Sequence, residues 1–340
     1  MRLCRARGSG CRRGDARTEW FVLELVRIGL AVATNVLFLL SVIAALALRP
    51  KYLELICHFR VQYFIGAVAL MVASVAFREW VGTGISLAAV LINLPVFAPG
   101  QRPRNSPEIG RRRLKLMLMN VYKGNRQYSL CVGNVRKHRP DVVVLQELNT
   151  EWAKELECLR GEYPFADAHP RNEGSGIALY SRVPFECLAL TLPEGGARPG
   201  ILARVSGGEL TILSIHPRAP IRRGHFELRN QMLSSGAAIM REMAGPKICV
   251  GDLNTTTWSR YFKDFVEQSG MRSVREGFGI LASWPTFLRP KWMMIPIDHC
   301  FVSDDIRVVN AFVGERIGSD HLPLIVELEL PRERPRVTAK

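Results

Sequence analysis

Three long apolar runs occupy the front of the chain, and shorter ones alternate with amphipathic stretches behind them. Ile28–Leu48 is 21 residues without a charge, and a helix of that length crosses the hydrocarbon of a bilayer. Val61–Phe77 and Trp80–Phe97 are two further charge-free runs, and only Arg78 and Glu79 separate them. That spacing predicts a tight helical hairpin. Tyr63, Phe64, Phe77, Trp80 and Phe97 stand near the run ends, where aromatic rings favour the membrane interface. The pattern predicts a membrane region over 28–97, with spans at about 28–48, 61–77 and 80–97. A cleaved signal peptide is the competing reading of the first run, because Ala45–Ala47 has the form of a cleavage site. The run exceeds a signal core in length, and two more apolar runs follow it. A buried core hairpin is the competing reading of the other two.

From Leu114 the period changes. Leu114–Tyr122 reads as a strand. Arg126–Pro140 carries apolar residues at helical spacing and is stopped by its proline. Asp141–Leu148 is β-branched and almost wholly apolar, as a strand buried on both faces should be. Thr150–Gly161 predicts a helix with Thr150 as its cap and glycine as its terminator. Ser175–Arg182, Ile201–Pro217 and Lys247–Asn254 are further strand segments, with a hairpin turn at 206–209. Arg223–Ala244 predicts another helix. Residues 114–330 thus read as one mixed α and β domain. Residues 1–27 form a basic tail, 98–113 a linker rich in Pro, Gly and charge, and 331–340 a short end.

Charge changes this picture modestly. The 340 residues carry 46 Lys+Arg against 31 Asp+Glu, a formal net charge of +15. Residues up to Arg111 hold 14 basic and 6 acidic groups, and the remainder hold 32 and 25. The rear domain is therefore only mildly basic for its size. Without a basic run interleaved with aromatics, nucleic acid is not the favoured partner. Seven arginines precede the first span, and the next loop has only Arg49, Lys51 and Arg60. That asymmetry sets the N-terminus in the cytoplasm. Three spans then carry the rear domain to the other side, against a competing basic cluster at Arg102, Arg104 and Arg111–Arg113. None of the eight cysteines forms a CxxC pair, which disfavours a zinc ribbon.

The chemistry-bearing residues gather where strands end. Asn120, Glu147, His216, Asp252 with Asn254, Asp298 with His299, and Asp320 with His321 each stand at the polar edge of an apolar run. One such residue alone is more often a turn former. Six strand ends together point to a shared site. Glu147 with amide or carboxylate oxygens suits Mg²⁺ or Mn²⁺ rather than zinc. An Asp-backed imidazole suits proton transfer. Arg218, two residues after His216, would bind a substrate phosphate or stand as a solvated loop arginine. His299 reads as a packing residue or as a support behind the site residues.

The segments MNVYKGN, PDVVVLQE, SGIALYSRVP, ILSIHP, VGDLNTT, WPTF, IDHCFVS and GSDHLPL, in this order, resemble the endonuclease/exonuclease/phosphatase superfamily, and the spans before them resemble its bacterial membrane-anchored branch. The resemblance covers about Leu114–Leu330. It implies a four-layered α/β/β/α sandwich after the three spans. It implies Glu147 as the principal metal ligand, with Asn120 nearby and Asp320 completing the sphere. It makes Asp252 and Asn254 the pair that handles the attacking water, His321 an imidazole oriented by Asp298, and His216 the general acid. Some relatives carry a second ligand where this chain has Tyr122, so a one-metal site is expected. The implied activity is metal-dependent hydrolysis of a phosphate ester, of a membrane lipid if the anchor restricts substrate choice, by a domain outside the cytoplasm of a bacterial inner membrane. A membrane-bound nuclease is the first alternative and a non-catalytic scaffold the second.

Overall fold

The computed structural model describes residues 13–98, 112–193, 199–205, 210–288 and 290–331. Most of the predicted linker, the turn at 206–209 and nearly all of the end segment lie outside the described residues. The chain divides into two units, one of residues 1–46 and 60–95, the other of residues 47–59 and 96–340.

The first unit holds helices α1 (Arg13–Leu46), α3 (Arg60–Ala76) and α4 (Trp80–Asn93). Helix α2 (Lys51–Ile56) lies between α1 and α3 in sequence yet belongs to the second unit. Thr18–Leu46, Lys51–Ala76 and Trp80–Phe97 are long and apolar enough to cross a membrane. Within the second of these, Lys51, Glu54 and Arg60 precede the charge-free part. Helix α1 begins well before the predicted span. Its added turns keep apolar character through Trp20–Leu23, Leu25 and Val26, between Glu19, Glu24 and Arg27. The predicted hairpin forms between α3 and α4, where the Glu79 amide donates to the Ser74 carbonyl at 2.8 Å. Arg27 pairs with Glu79 at 3.0 Å.

The second unit is built on two six-stranded sheets. The first runs β11 (Arg307–Val313), β12 (Leu324–Leu330), β1 (Arg112–Asn120), β2 (Val142–Gln146), β4 (Ile177–Ser181), β3 (Phe165–His169). The second runs β5 (Phe185–Cys187), β6 (Ile201–Val205), β7 (Leu210–Ser214), β8 (Lys247–Asp252), β10 (Asp298–Val302), β9 (Arg272–Ser273). Each sheet has one parallel pair, β1 with β2 and β7 with β8, and antiparallel pairs on both sides of it. A parallel pair needs a crossover. Helix α5 (Tyr128–His138) supplies the first and α7 (His225–Glu242) the second.

Side-chain alternation explains the apolar runs. Leu114, Leu116 and Leu118 of β1 share a buried core with Ile201, Ala203, Ile212, Ile248 and Val250 of the other sheet. Met117 and Met119 point the opposite way, into a core with Cys131 and Val135 of α5 and Trp152 of α6 (Thr150–Glu155). On the far side, Leu213, Cys249 and Phe301 pack with Met232, Ala237 and Met240 of α7 and with Phe262 and Phe265 of α8 (Arg260–Ser269). Three cores between four layers make the α/β/β/α sandwich. Strands covered on both faces have no need of a polar side, so periodicity of two is lost. The cap of α6 is Asn149, one residue before the predicted Thr150. Asn149 has extended backbone, and its side chain accepts from the Trp152 amide at 2.8 Å.

Candidate active site

Strand ends of both sheets deliver the polar groups. β1 ends on Asn120, β2 is followed at once by Glu147, and β8 ends on Asp252. Asp298 begins its strand rather than ending it. Because β10 runs antiparallel to β8, Asp298 still pairs in register with Asp252. His321 lies just before β12, which runs antiparallel to β1.

Local backbone shape aims these side chains. Tyr122, Glu147 and Asn254 all have positive φ, at 57°, 59° and 49°. Such backbone is ordinary for Asn but strained for Glu and Tyr, and strain of this kind clusters at functional positions. At Gly251, just before Asp252, a Cβ would lie 2.0 Å from the Ile215 carbonyl oxygen. Only glycine lets β8 approach the end of β7 so closely.

Gln146 ties the two sheets together. Its side-chain amide donates to the Ile215 carbonyl at 2.9 Å and accepts from the Asp252 amide at 2.7 Å. The side chain is fully buried, so both bonds hold the Glu147 and Asp252 edges in register. Sequence reading passed over this role. Its signal was one polar residue inside an otherwise apolar run. Ser319 was also passed over. Its hydroxyl donates to the Asn120 carbonyl at 2.7 Å and accepts from the His321 amide at 3.0 Å.

Asp252 sits between two imidazoles. Its Oδ2 lies 3.7 Å from His216 Nε2 and 3.6 Å from His321 Nε2. Asn254 donates its backbone amide to Asp252 Oδ1 at 2.9 Å. Its side chain donates to the Pro217 carbonyl at 3.1 Å. His321 Nδ1 lies 2.8 Å from Asp298 Oδ2. Burial alone would disfavour the imidazolium of His321, but Asp298 and Asp252 outweigh it and hold the pKa well above the ordinary value. Burial pushes the Asp252 carboxyl up, and His321 pulls against that.

Glu147, His216, Asp252, Asn254, Asp320 and His321 line one cavity of about 400 Å³. Asn120 lies behind it, with its amide nitrogen 3.2 Å from Glu147 Oε1 and 3.2 Å from Asp252 Oδ2. The Trp284 indole donates to Asp320 Oδ2 at 3.1 Å. Arg218 is half-buried and outside this lining.

Two groups of side chains are close enough to hold a metal ion among the described residues, Asp252 with Asp298 and His321, and Glu54 with Cys57 and His58. In the first, Asp298 is committed to the imidazole of His321. In the second, Glu54 is committed to Arg229 at 3.2 Å. Glu147 and Asp320 also face the cavity with carboxylate oxygens, a donor class that divalent metals take.

His299 is a packing residue. It is buried, donates from Nε2 to the Thr255 carbonyl at 2.8 Å, and packs its ring at a tilt against Phe262. Burial, with Arg275 adding to it, pushes its pKa down to about 3. The unfolded chain takes a proton there near pH 6.5 while the folded chain does not. Stability is therefore lost as pH falls from about 6.5 towards 3. Thermal unfolding should show a lower midpoint at pH 5 than at pH 7, and His299→Gln should shrink that difference.

Residues 117–321 match the model of the Endonuclease/Exonuclease/phosphatase family. The chain belongs to this family, whose members are phosphoesterase and nuclease hydrolases, typically dependent on a divalent metal. Among solved structures, the chain is similar to an endonuclease/exonuclease/phosphatase from Beutenbergia cavernae, at 20% identity and a TM-score of 0.50, over 65% of this chain and 72% of that one. It is similar to an AP endonuclease from Archaeoglobus fulgidus at 15% identity and 0.54, over 63% and 98%. It is also similar to the 3' phosphatase NExo from Neisseria, bound to a product DNA hairpin, at 17% identity and 0.53, over 63% and 98%. At these identities the likeness establishes the fold. No curated protein matches the chain.

Proposed function

We propose that this protein is a membrane-anchored, divalent-metal-dependent phosphoesterase whose substrate is a phosphate ester or pyrophosphate of a lipid. The observation that carries the reading is one cavity lined by Glu147, Asp252, His216 and His321, in a chain with three helices long and apolar enough to cross a membrane. Glu147, Asp320 and the neighbouring Asn120 would hold Mg²⁺ or Mn²⁺. The ion, when bound, neutralises phosphoryl charge and polarises the phosphorus centre.

The chain's own groups handle the protons. Asp252, with Asn254 fixing its orientation, takes a proton from the attacking water. A bond forms between the water oxygen and phosphorus, and the ester P–O bond breaks. His216 gives its proton to the leaving oxygen. The His321 imidazolium, held by Asp298, steadies the charge on the phosphoryl oxygens. Arg218 is a further phosphate contact if its loop turns toward the cavity on binding.

The test uses the full-length protein in detergent. Dodecyl phosphate and p-nitrophenyl dodecyl phosphate are offered with Mg²⁺ or with EDTA, beside supercoiled DNA. We expect Mg²⁺-dependent release from at least one lipid-like ester, loss with EDTA, and intact DNA. Nicking of the DNA without turnover of either ester would overturn the lipid reading in favour of a nuclease. Turnover of nothing would support the non-catalytic alternative.

A further inference from the structure

The cavity has a second wall that the family's matched residues do not supply. Leu55, His58 and Phe59 line it beside the polar groups, although the family match begins at residue 117. These residues come from segment 47–59, which is part of the same unit as the sandwich. By sequence the segment joins the end of α1 at Leu46 to the start of α3 at Arg60; its first neighbour is the apolar stretch Thr18–Leu46, and its own residues from Lys51 onward open the apolar stretch Lys51–Ala76.

Specific polar contacts fix the segment. Arg49 pairs with Asp264 at 2.7 Å, and Lys51 donates to the Ile221 carbonyl at 3.1 Å. His58 Nδ1 lies 2.9 Å from Thr256 Oγ1. Glu54 accepts from the Ser259 hydroxyl and pairs with the fully buried Arg229, whose other nitrogen donates to the Asn254 carbonyl at 3.0 Å. The segment thereby braces the loop that carries Asn254.

What it presents to the cavity is apolar. Leu55 and Phe59 join Pro220, Ile221, Ile295 and Ile297 along the wall. Phe59 is 42% exposed and Ile221 73% exposed, a cost that a surface does not carry for solvent alone when the apolar groups are contiguous. The two cations of the segment, Arg49 and Lys51, are engaged with Asp264 and the Ile221 carbonyl. A polyanion with phosphates on both sides of the reacting one would find little charge on this wall. An ester with one phosphate and one apolar chain would place the phosphate against His321 and the chain against Phe59.

We infer that segment 47–59 is the chain-recognition element of the site, and that Leu55 and Phe59 select phosphate esters bearing a long apolar chain. The inference rests on the phosphoesterase reading above.

The experiment compares kcat/KM for alkyl phosphates and p-nitrophenyl alkyl phosphates of two and twelve carbons, in wild type, Leu55→Ala and Phe59→Ala, in detergent. Wild type should prefer twelve carbons, and each variant should reduce the twelve-to-two ratio by about tenfold, the scale of one lost large apolar contact. Phe59 is partly exposed, so its truncation leaves the Glu54–Arg229 pair in place. A second measurement needs no variant. A dodecyl phosphate with a diazirine at the chain end should label the tryptic fragment 52–60 of the wild-type protein on illumination. Metal-dependent turnover with the same ratio in all three proteins, or labelling confined to other fragments, overturns the inference and leaves the phosphoesterase reading standing. No EDTA-sensitive turnover of any ester overturns both.

Discussion

His321→Ala should lower kcat by about 10²–10³-fold, the scale for loss of one group that steadies charge in the transition state, and should destabilise the fold as well. The imidazole lies between Asp298 at 2.8 Å and Asp252 at 3.6 Å, and all three groups are buried. Its removal leaves two carboxylates without a compensating cation. Breaking a buried pair in this way costs about 3–5 kcal/mol. Steady-state turnover and a thermal melt of the same preparation read both effects. Near-normal turnover in a folded sample would remove His321 from the mechanism.

Asp252→Asn should lower kcat by about 10³-fold and yet leave the melting midpoint equal or higher. The amide has the shape of the carboxylate but cannot accept the water proton. Burial already disfavours the Asp252 anion, so its neutral replacement relieves a cost of folding. The Asp298–His321 pair keeps its 2.8 Å contact. The two variants therefore agree in activity and differ in the sign of their stability change. A fold damaged at both sites would instead show both midpoints falling, and that result would replace the chemical roles with structural ones. Active-site groups that are costly to the fold and necessary to the reaction are the usual source of this opposition.

The central strands were legible because the sandwich buries them on both faces. Leu114–Asn120 and Val142–Gln146 have no polar face to conceal, so their apolar character is continuous. The outer strands were not legible. β3 reads Phe-Ala-Asp-Ala-His and is half-buried at the edge of its sheet. β5 and β9 are three and two residues long. β11 alternates only partly and carries a register shift between Val308 and Asn310. Edge strands exchange fewer side-chain contacts, so their composition is less constrained.

The cavity groups were legible for a related reason. A carboxylate or imidazole after a buried run stands out against its neighbours, and the antiparallel pairing of β8 with β10 brings Asp252 opposite Asp298. The supports of those groups were harder to see. Gln146 acts through the backbone of Ile215 and Asp252, partners that no local pattern identifies. Segment 47–59 looked like a short connection because its contacts with Asp264, Thr256 and Arg229 span some 170 to 215 residues of sequence. Long-range polar pairing leaves no periodic trace.

The discontinuity of the second unit turns the fold into a check on parity. Between Phe59 and Val96 the chain passes through two apolar helices, α3 and α4. If both cross a bilayer, the segment and the sandwich emerge on one side, and Glu54 can reach Arg229. If only one of them crosses, the two pieces are stranded on opposite sides. Arg229 then keeps its buried position without a carboxylate, and the wall of Leu55 and Phe59 is missing. On that condition a complete site requires an even number of crossings between Phe59 and Val96.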